Sequence, residues 1–157
     1  MESDVQIRIA SPDESDTIAA VIREAFAGFE SFYTPEAFAA TTPNAEKIRE
    51  RFDEEGTIWA ALKDKEIVGT VSAIVKGEKV YIRSMAVSPT AQGLGIGRKL
   101  LETVEKFAIE NGSESLFLYT TPFLPGAIWL YEQSGFERGD IETDGFFGTF
   151  WFAMEKD

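Results

Sequence analysis

Histidine and cysteine are both absent from this 157-residue chain. Without cysteine there is no disulfide, no thiol nucleophile and no thiolate metal site. Without histidine, the commonest metal ligand and the commonest general base are gone. Serine–histidine hydrolysis, papain-like chemistry and structural zinc are therefore excluded. The sequence also lacks a D-x-D-x-D-G run, so no metal is expected. No apolar run approaches the roughly 18 residues of a membrane span. The N-terminal MESDVQIRIA lacks the basic-then-apolar layout of a signal peptide, and a cytoplasmic setting is expected. Positive charge is scarce: 15 basic against 27 acidic residues leave a net charge of −12. Such a surface repels nucleic acid and anionic membrane, and attracts cationic small molecules.

What is present suits one α/β domain over residues 1–157, since no repeat, linker or low-complexity tract divides the chain. Hydrophobic residues make up 44%, including 13 phenylalanines, enough for one core. Val5 to Ala10 alternates as a strand, and Ser11-Pro12-Asp13-Glu14 reads as a capping box opening a helix that ends near Gly28. Residues 29–56 read as a second helical region broken at Pro35 and Pro43. Thr57–Lys63, Ile67–Lys76 and Lys79–Val87 read as strands joined by turns at 63–65 and 76–78. A helix over Gly97–Glu110, a strand over Ser115–Thr121 covered on both faces, a helix over Ala127–Ser134 and a strand over Gly148–Glu155 complete the order.

The stretch from Val87 to Lys99 carries the chemistry. It joins a strand to a long helix through Gln92-Gly93-Leu94-Gly95-Ile96-Gly97-Arg98. Glycines let a ligand approach the backbone, and a helix N-terminus offers unpaired amides to an anion. Arg98 and Lys99 stand in the first turn, where the helix dipole disfavours cations unless an anion sits there. Neither a P-loop nor a dinucleotide fingerprint fits, because Arg98 and Lys99 break the first pattern and Arg98 replaces the last glycine of the second.

Gln92, Gly95 and Gly97 satisfy the acetyl-CoA signature Gln/Arg-x-x-Gly-x-Gly/Ala. Ser84-Met85-Ala86-Val87-Ser88-Pro89 precedes it, and Ala127-Ile128-Trp129-Leu130-Tyr131-Glu132-Gln133-Ser134-Gly135-Phe136-Glu137 follows a further helix and strand. In motif and spacing, residues 79–137 resemble the GNAT N-acetyltransferase superfamily, and the element order extends the resemblance over nearly the whole chain. It implies a mixed, mostly antiparallel sheet of about six or seven strands flanked by helices. The fourth and fifth strands would splay apart.

That resemblance implies an enzyme moving an acetyl group from acetyl-CoA directly to a primary amine, either a small molecule or a peptide N-terminus or lysine. Main-chain groups of Met85, Ala86 and Val87 would meet the pantetheine arm. The amides from Gln92 through Gly93, Leu94, Gly95, Ile96 and Gly97 to Arg98 would hold the pyrophosphate. Tyr131 matches the tyrosine that protonates the departing thiolate. A non-catalytic acyl-CoA-binding regulatory domain is the alternative, and a homodimer is compatible with the resemblance.

Two departures stand out. Arg83 and Ser84 occupy the strand-four neighbourhood where many relatives carry a glutamate base, and Thr121 follows the fifth strand where relatives often carry asparagine. Glu30, Tyr33 and Tyr119 are candidate bases, beside a water chain with no dedicated base. Phe29, Glu30, Tyr33 and Arg83 are the candidate acceptor contacts. Phe26 and Phe38 read as core, whereas Phe29, Phe32, Phe146 and Phe147 fall in turns. Acidic neighbours such as Glu30, Glu142 or Asp144 would suit a cationic amine, and Arg83 could instead pair with a substrate carboxylate.

Overall fold

A computed structural model describes residues 5–157. The strands are β1 (Val5–Ile9), β2 (Gly56–Lys63), β3 (Glu66–Lys76), β4 (Lys79–Val87), β5 (Ser115–Thr120), β6 (Glu137–Arg138) and β7 (Phe152–Lys156). They form one seven-stranded sheet in the order β1-β2-β3-β4-β5-β7-β6, antiparallel throughout except for the β4–β5 pair. The helices are α1 (Ser15–Ala27), α2 (Pro35–Thr41), α3 (Ala45–Arg51), α4 (Ile96–Glu110) and α5 (Pro125–Gln133).

The helices cover both faces of the sheet, as the period-2 alternation of β2 requires. Trp59 and Ala61 point to one face, into a core with Leu100, Leu101 and Val104 of α4 and Ile128 and Tyr131 of α5. Ile58 and Ala60 point to the other, against Ile18 and Ile22 of α1 and Ile48 of α3. Burying a side chain of this size contributes about 1.5–3 kcal/mol, so the two cores hold the helix layers firmly to the sheet. Among the described residues, no helix is long and apolar enough to cross a membrane.

Local sequence sets the boundaries. Ser11 N–H donates to Glu14 Oε1 at 2.9 Å, the capping contact that opens the first helical segment. Thr34 Oγ1 caps α2 through the amide of Ala37, and Asn44 Oδ1 caps α3 through that of Lys47. Of the expected breaks, Pro35 is the first residue of α2, and Pro43 lies in the gap between α2 and α3.

Three expectations need adjusting. The last strand begins at Phe152, because residues 143–150 turn back on themselves and Thr34 ties that turn to α2 by donating to the Phe147 carbonyl at 2.9 Å. A short β6 lies beyond it, too brief to show in a periodicity. Strand β5 is not covered on both faces throughout: Tyr119 is 51% exposed because β5 turns an open cleft to solvent at its C-terminal end.

Candidate active site

Strand β4 is bulged. Thr70 of β3 faces Ala86 and Ser72 faces Arg83, so Ser84 and Met85 together oppose the single residue Val71. Ser84 takes a positive φ of 56° there, an uncommon conformation for a residue with a Cβ. On its other edge β4 pairs with β5 only at Lys79–Ser115, Val80–Leu116 and Tyr81–Phe117. Beyond Tyr81 the two strands diverge.

The divergence opens a cleft of about 500 Å³. Tyr81 to Met85 form one wall and Leu118 to Thr121 the other, with Leu124, Ala127 and Tyr131 contributed by α5 and its approach. Phe26, Tyr33, Arg51, Phe146 and Trp151 surround the opposite end. Two buried polar atoms here have no hydrogen-bond partner among the described residues, Arg83 Nε and Thr121 Oγ1. Buried polar groups are nearly always paired, so these two lining one cleft are available to a ligand or to water.

Strand β4 leads past Pro89–Ala91 into the glycine turn. Gly95, at φ 76°, is the N-cap of α4. Ala91 N–H donates to Ser88 O and Lys99 N–H to Gly95 O. Among the described residues, no amide between those two donates to a backbone carbonyl. Gln92 through Arg98 thus present main-chain donors at the positive end of a 15-residue helix. This is chemistry for an anion of the pyrophosphate type.

Tyr131 is buried on the cleft floor, its ring 5.9 Å from that of Phe136. Gly135 ends the α5 turn, and Phe136 N–H folds back to the Tyr131 carbonyl at 3.0 Å. The tyrosine-x-x-x-glycine-phenylalanine spacing therefore closes the end of α5 and sets the Phe136 ring beside that of Tyr131. Burial pushes its phenol above the ordinary range, with no hydrogen bond among the described residues to offset that.

Met85, Tyr33, Arg83 and Tyr131 meet in the cleft, while Gln92, Gly93, Leu94, Gly95 and Arg98 lie exposed at the glycine turn. Ala86 and Ile96 are buried, with Val87 and Gly97 half-buried between them. Phe29 and Glu30 are not among the cleft-lining residues: Phe29 packs on the Tyr33–Phe38 cluster, and Glu30 is exposed on a 3-10 turn. Burial also raises the Tyr33 phenol; Thr121 and Thr41 lie beside it, without Thr121 Oγ1 reaching hydrogen-bond geometry. Phe38 is core as expected, but Phe26 is half-buried and lines the cleft.

The cleft also contains Arg51, Tyr81 and Trp151, which no sequence motif singles out. Of the acidic residues considered, Glu142 pairs with Trp151 through its backbone, and the Asp144 carbonyl accepts from Trp151 Nε1 at 2.6 Å. Neither carboxylate lines the cleft, whose charged groups are guanidiniums.

Strands parted beside a helix N-terminus with free amides are the layout of an acyl-CoA-dependent acetyltransferase. A model of the Acetyltransferase (GNAT) family matches residues 18–136. The chain belongs to that family. The uncharacterized N-acetyltransferase YjgM of Escherichia coli is 28% identical over 144 residues, 88% of this chain and 85% of that protein. The probable N-acetyltransferase family 8 member 5 of Mus musculus is 32% identical over 103 residues, 62% of this chain, and the match spans only 45% of that protein. Among solved structures, the PaiA N-acetyltransferase of Thermoplasma acidophilum in complex with coenzyme A superposes with a TM-score of 0.79 at 21% identity, over 98% of this chain and 99% of that one. A GNAT family acetyltransferase of Elizabethkingia anophelis with acetyl-CoA bound gives 0.73 at 19% identity, over 99% of both chains. The expected family, fold and acetyl-CoA-dependent enzyme class are met.

Proposed function

We propose that this chain moves an acetyl group from acetyl-CoA directly to a primary amine, on a small molecule or on a peptide N-terminus or lysine, within a ternary complex. The observation that carries this reading is the parting of β4 from β5 after Tyr81, which leaves one edge of the bulged strand unpaired beside Tyr131. Main-chain groups of Met85, Ala86 and Val87 pair with the pantetheine arm, and the amides of Gln92 to Arg98 hold the pyrophosphate. Arg83 and Tyr33, which line the cleft, contact the acceptor.

The amine nitrogen forms a bond to the thioester carbon as the carbon–sulfur bond breaks. Tyr131 gives its proton to the leaving sulfur and regains one from solvent. Burial disfavours the thiolate as well as the phenolate, so both acids become weaker together in this cleft and transfer between them stays feasible. An alkylammonium acceptor with a pKa near 10.4 must first lose a proton, costing about 4 kcal/mol at pH 7.5. No carboxylate lines the cleft to take it, which favours removal through water. The absence of cysteine, the usual acyl-carrying thiol, supports direct transfer.

Calorimetric titration with acetyl-CoA, beside CoA, NAD and ATP, tests the donor, and CoA release with an amine panel tests the transfer. Binding confined to the CoA compounds, with intersecting initial-rate lines for donor and amine, is the expected result. Binding without CoA release for any amine would leave a regulatory acyl-CoA-binding domain. A folded sample that ignores acetyl-CoA overturns the reading.

A further inference from the structure

The acceptor end of the cleft carries more positive charge than its own residues neutralise. Arg51, the last residue of α3, and Arg83, just before the β4 bulge, both line it. Arg83 Nη2 pairs with Glu54 Oε1 at 2.5 Å, yet Arg83 Nε is buried without a partner among the described residues. Arg51 Nη1 donates to the Ser84 hydroxyl at 2.8 Å, and no carboxylate among the described residues lies within ion-pair distance of it. Burial and the nearby Arg83 pull the Arg51 guanidinium down to about 10, so it remains cationic at neutral pH against opposition from both. Of the two guanidiniums only that of Arg83 has an ion-paired carboxylate among the described residues, in a chain of net charge −12. Holding such a pair together disfavours the empty fold unless something repays it on binding.

We propose that Arg51 and Arg83 receive a carboxylate of the acceptor, so that the substrate is a primary amine that also bears a carboxylate, as an amino acid does. This inference rests on the acetyl-transfer reading above. Three arguments select that chemistry. The site lacks one negative charge, which a carboxylate supplies and a dianionic phosphate exceeds. A guanidinium fork matches the planar carboxylate, and the unpaired Nε is the donor such a fork needs. Arg83 also adjoins Ser84 and Met85 at the bulge, so an anion held there leaves its amine within a few bonds of the strand edge assigned to the thioester. The apolar remainder of the acceptor meets Tyr119 and Trp151, whose rings lie 5.2 Å apart.

The test uses products, so that it does not depend on turnover. N-acetyl amino acids of varied side chain are titrated against the CoA-saturated protein, each beside its neutral amide and beside N-acetyl phosphoethanolamine. Binding is followed by calorimetry and by the fluorescence of Trp151, with the two other tryptophans as a constant background. The acid form is expected to bind at least tenfold tighter than the amide. Arg51→Gln and Arg83→Gln are expected to erase that preference while still binding acetyl-CoA, which shows that they remain folded. Arg51→Lys, which keeps charge but loses the fork, is expected to fall between. Equal affinity for acid and amide, or tighter binding of the phosphate, overturns the proposal. If acid and amide amines are acetylated equally well, the transfer reading stands and this one falls. If the acids bind through the arginines but no amine is ever acetylated, the anion subsite stands and the transfer reading falls.

Discussion

The Arg51 guanidinium donates to the Ser84 hydroxyl at 2.8 Å, fastening the last turn of α3 to the one non-glycine residue of β4 with a positive φ. The bond has a testable energetic signature, because two effects oppose each other at one position. A left-handed φ costs a residue with a Cβ about 1–2 kcal/mol, and a hydrogen bond of this type contributes about 1 kcal/mol. We expect Ser84→Ala to lose the bond and keep the strain, falling about 1 kcal/mol below the natural chain. Ser84→Gly loses both and should exceed Ser84→Ala by about 1 kcal/mol. Urea unfolding measures the two; equal stabilities would show that the bulge imposes no strain.

Tyr131→Phe is expected to lower kcat at least tenfold with acetyl-CoA affinity unchanged, since only the proton is removed. Rates with each amine and calorimetry on the same sample separate the two terms. An unaltered kcat removes Tyr131 from the chemistry.

The raised phenol of Tyr131 also fixes a pH dependence. The folded protein holds this proton to higher pH than the unfolded chain, whose tyrosine titrates near 10. Stability from this group is therefore intact below about pH 10 and declines above it. No loss of kcat below pH 10 should come from Tyr131 ionisation. Comparing the alkaline unfolding of Tyr131→Phe with the natural chain isolates the contribution.

Glu14 behaves in the opposite sense. Its hydrogen bond to Arg8, helped by the Ser11 amide, holds its carboxyl down to about 2. The stabilisation is present above the ordinary glutamate range and is lost as pH falls from about 4.5 toward 2. Both side chains are partly open to solvent, so Glu14→Gln should cost only about 1 kcal/mol at pH 7. The difference should shrink steadily in urea titrations taken from pH 5 to pH 3.

Gly97 sits where α4 presses on α5: a Cβ there would lie 3.0 Å from Leu130 Cδ2. Leu130 precedes Tyr131, so Gly97→Ala should move the phenol and lower kcat more than it weakens acetyl-CoA. Gly95→Ala meets no atom within 4 Å but stands at φ 76°. It should cost about 1 kcal/mol of stability and weaken acetyl-CoA binding first. Paired kinetic and calorimetric measurements distinguish these two outcomes.

Much of the proposed donor side was legible in the sequence because its signals are local. Gln92, Gly95 and Gly97 fall within six residues, and Tyr131, Gly135 and Phe136 within one helix end, so the resemblance to the family's motifs picks them out. The helix caps at Ser11 and the breaks at Pro35 and Pro43 are equally local. On the proposed acceptor side Tyr33 and Arg83 could be named from the sequence, but Arg51 could not. Arg51 and Arg83 are 32 positions apart in number, and only the packing of α3 across a bulge brings them together. Nothing announces that bulge, since Ser84 is not a residue type that marks a positive φ. Tyr119 continues an apolar run and reads as covered, yet it is the neighbouring parting of the strands that exposes it.

Because only three residue pairs join β4 to β5, the sheet behaves as two leaves bound along a short spine. One leaf is β1 to β4 and the other β5, β7 and β6. The spine concentrates mechanical weakness at the mouth of the cleft, where amide exchange should be fastest among the central strands. A donor molecule bound between the leaves, as proposed above, would act as mortar, adding cohesion that the polypeptide itself omits. Its affinity would therefore register as resistance to unfolding, about 2.7 kcal/mol at a hundredfold excess over Kd. On the binding mode proposed above, the open seam makes the rigidity of this chain conditional on holding its donor.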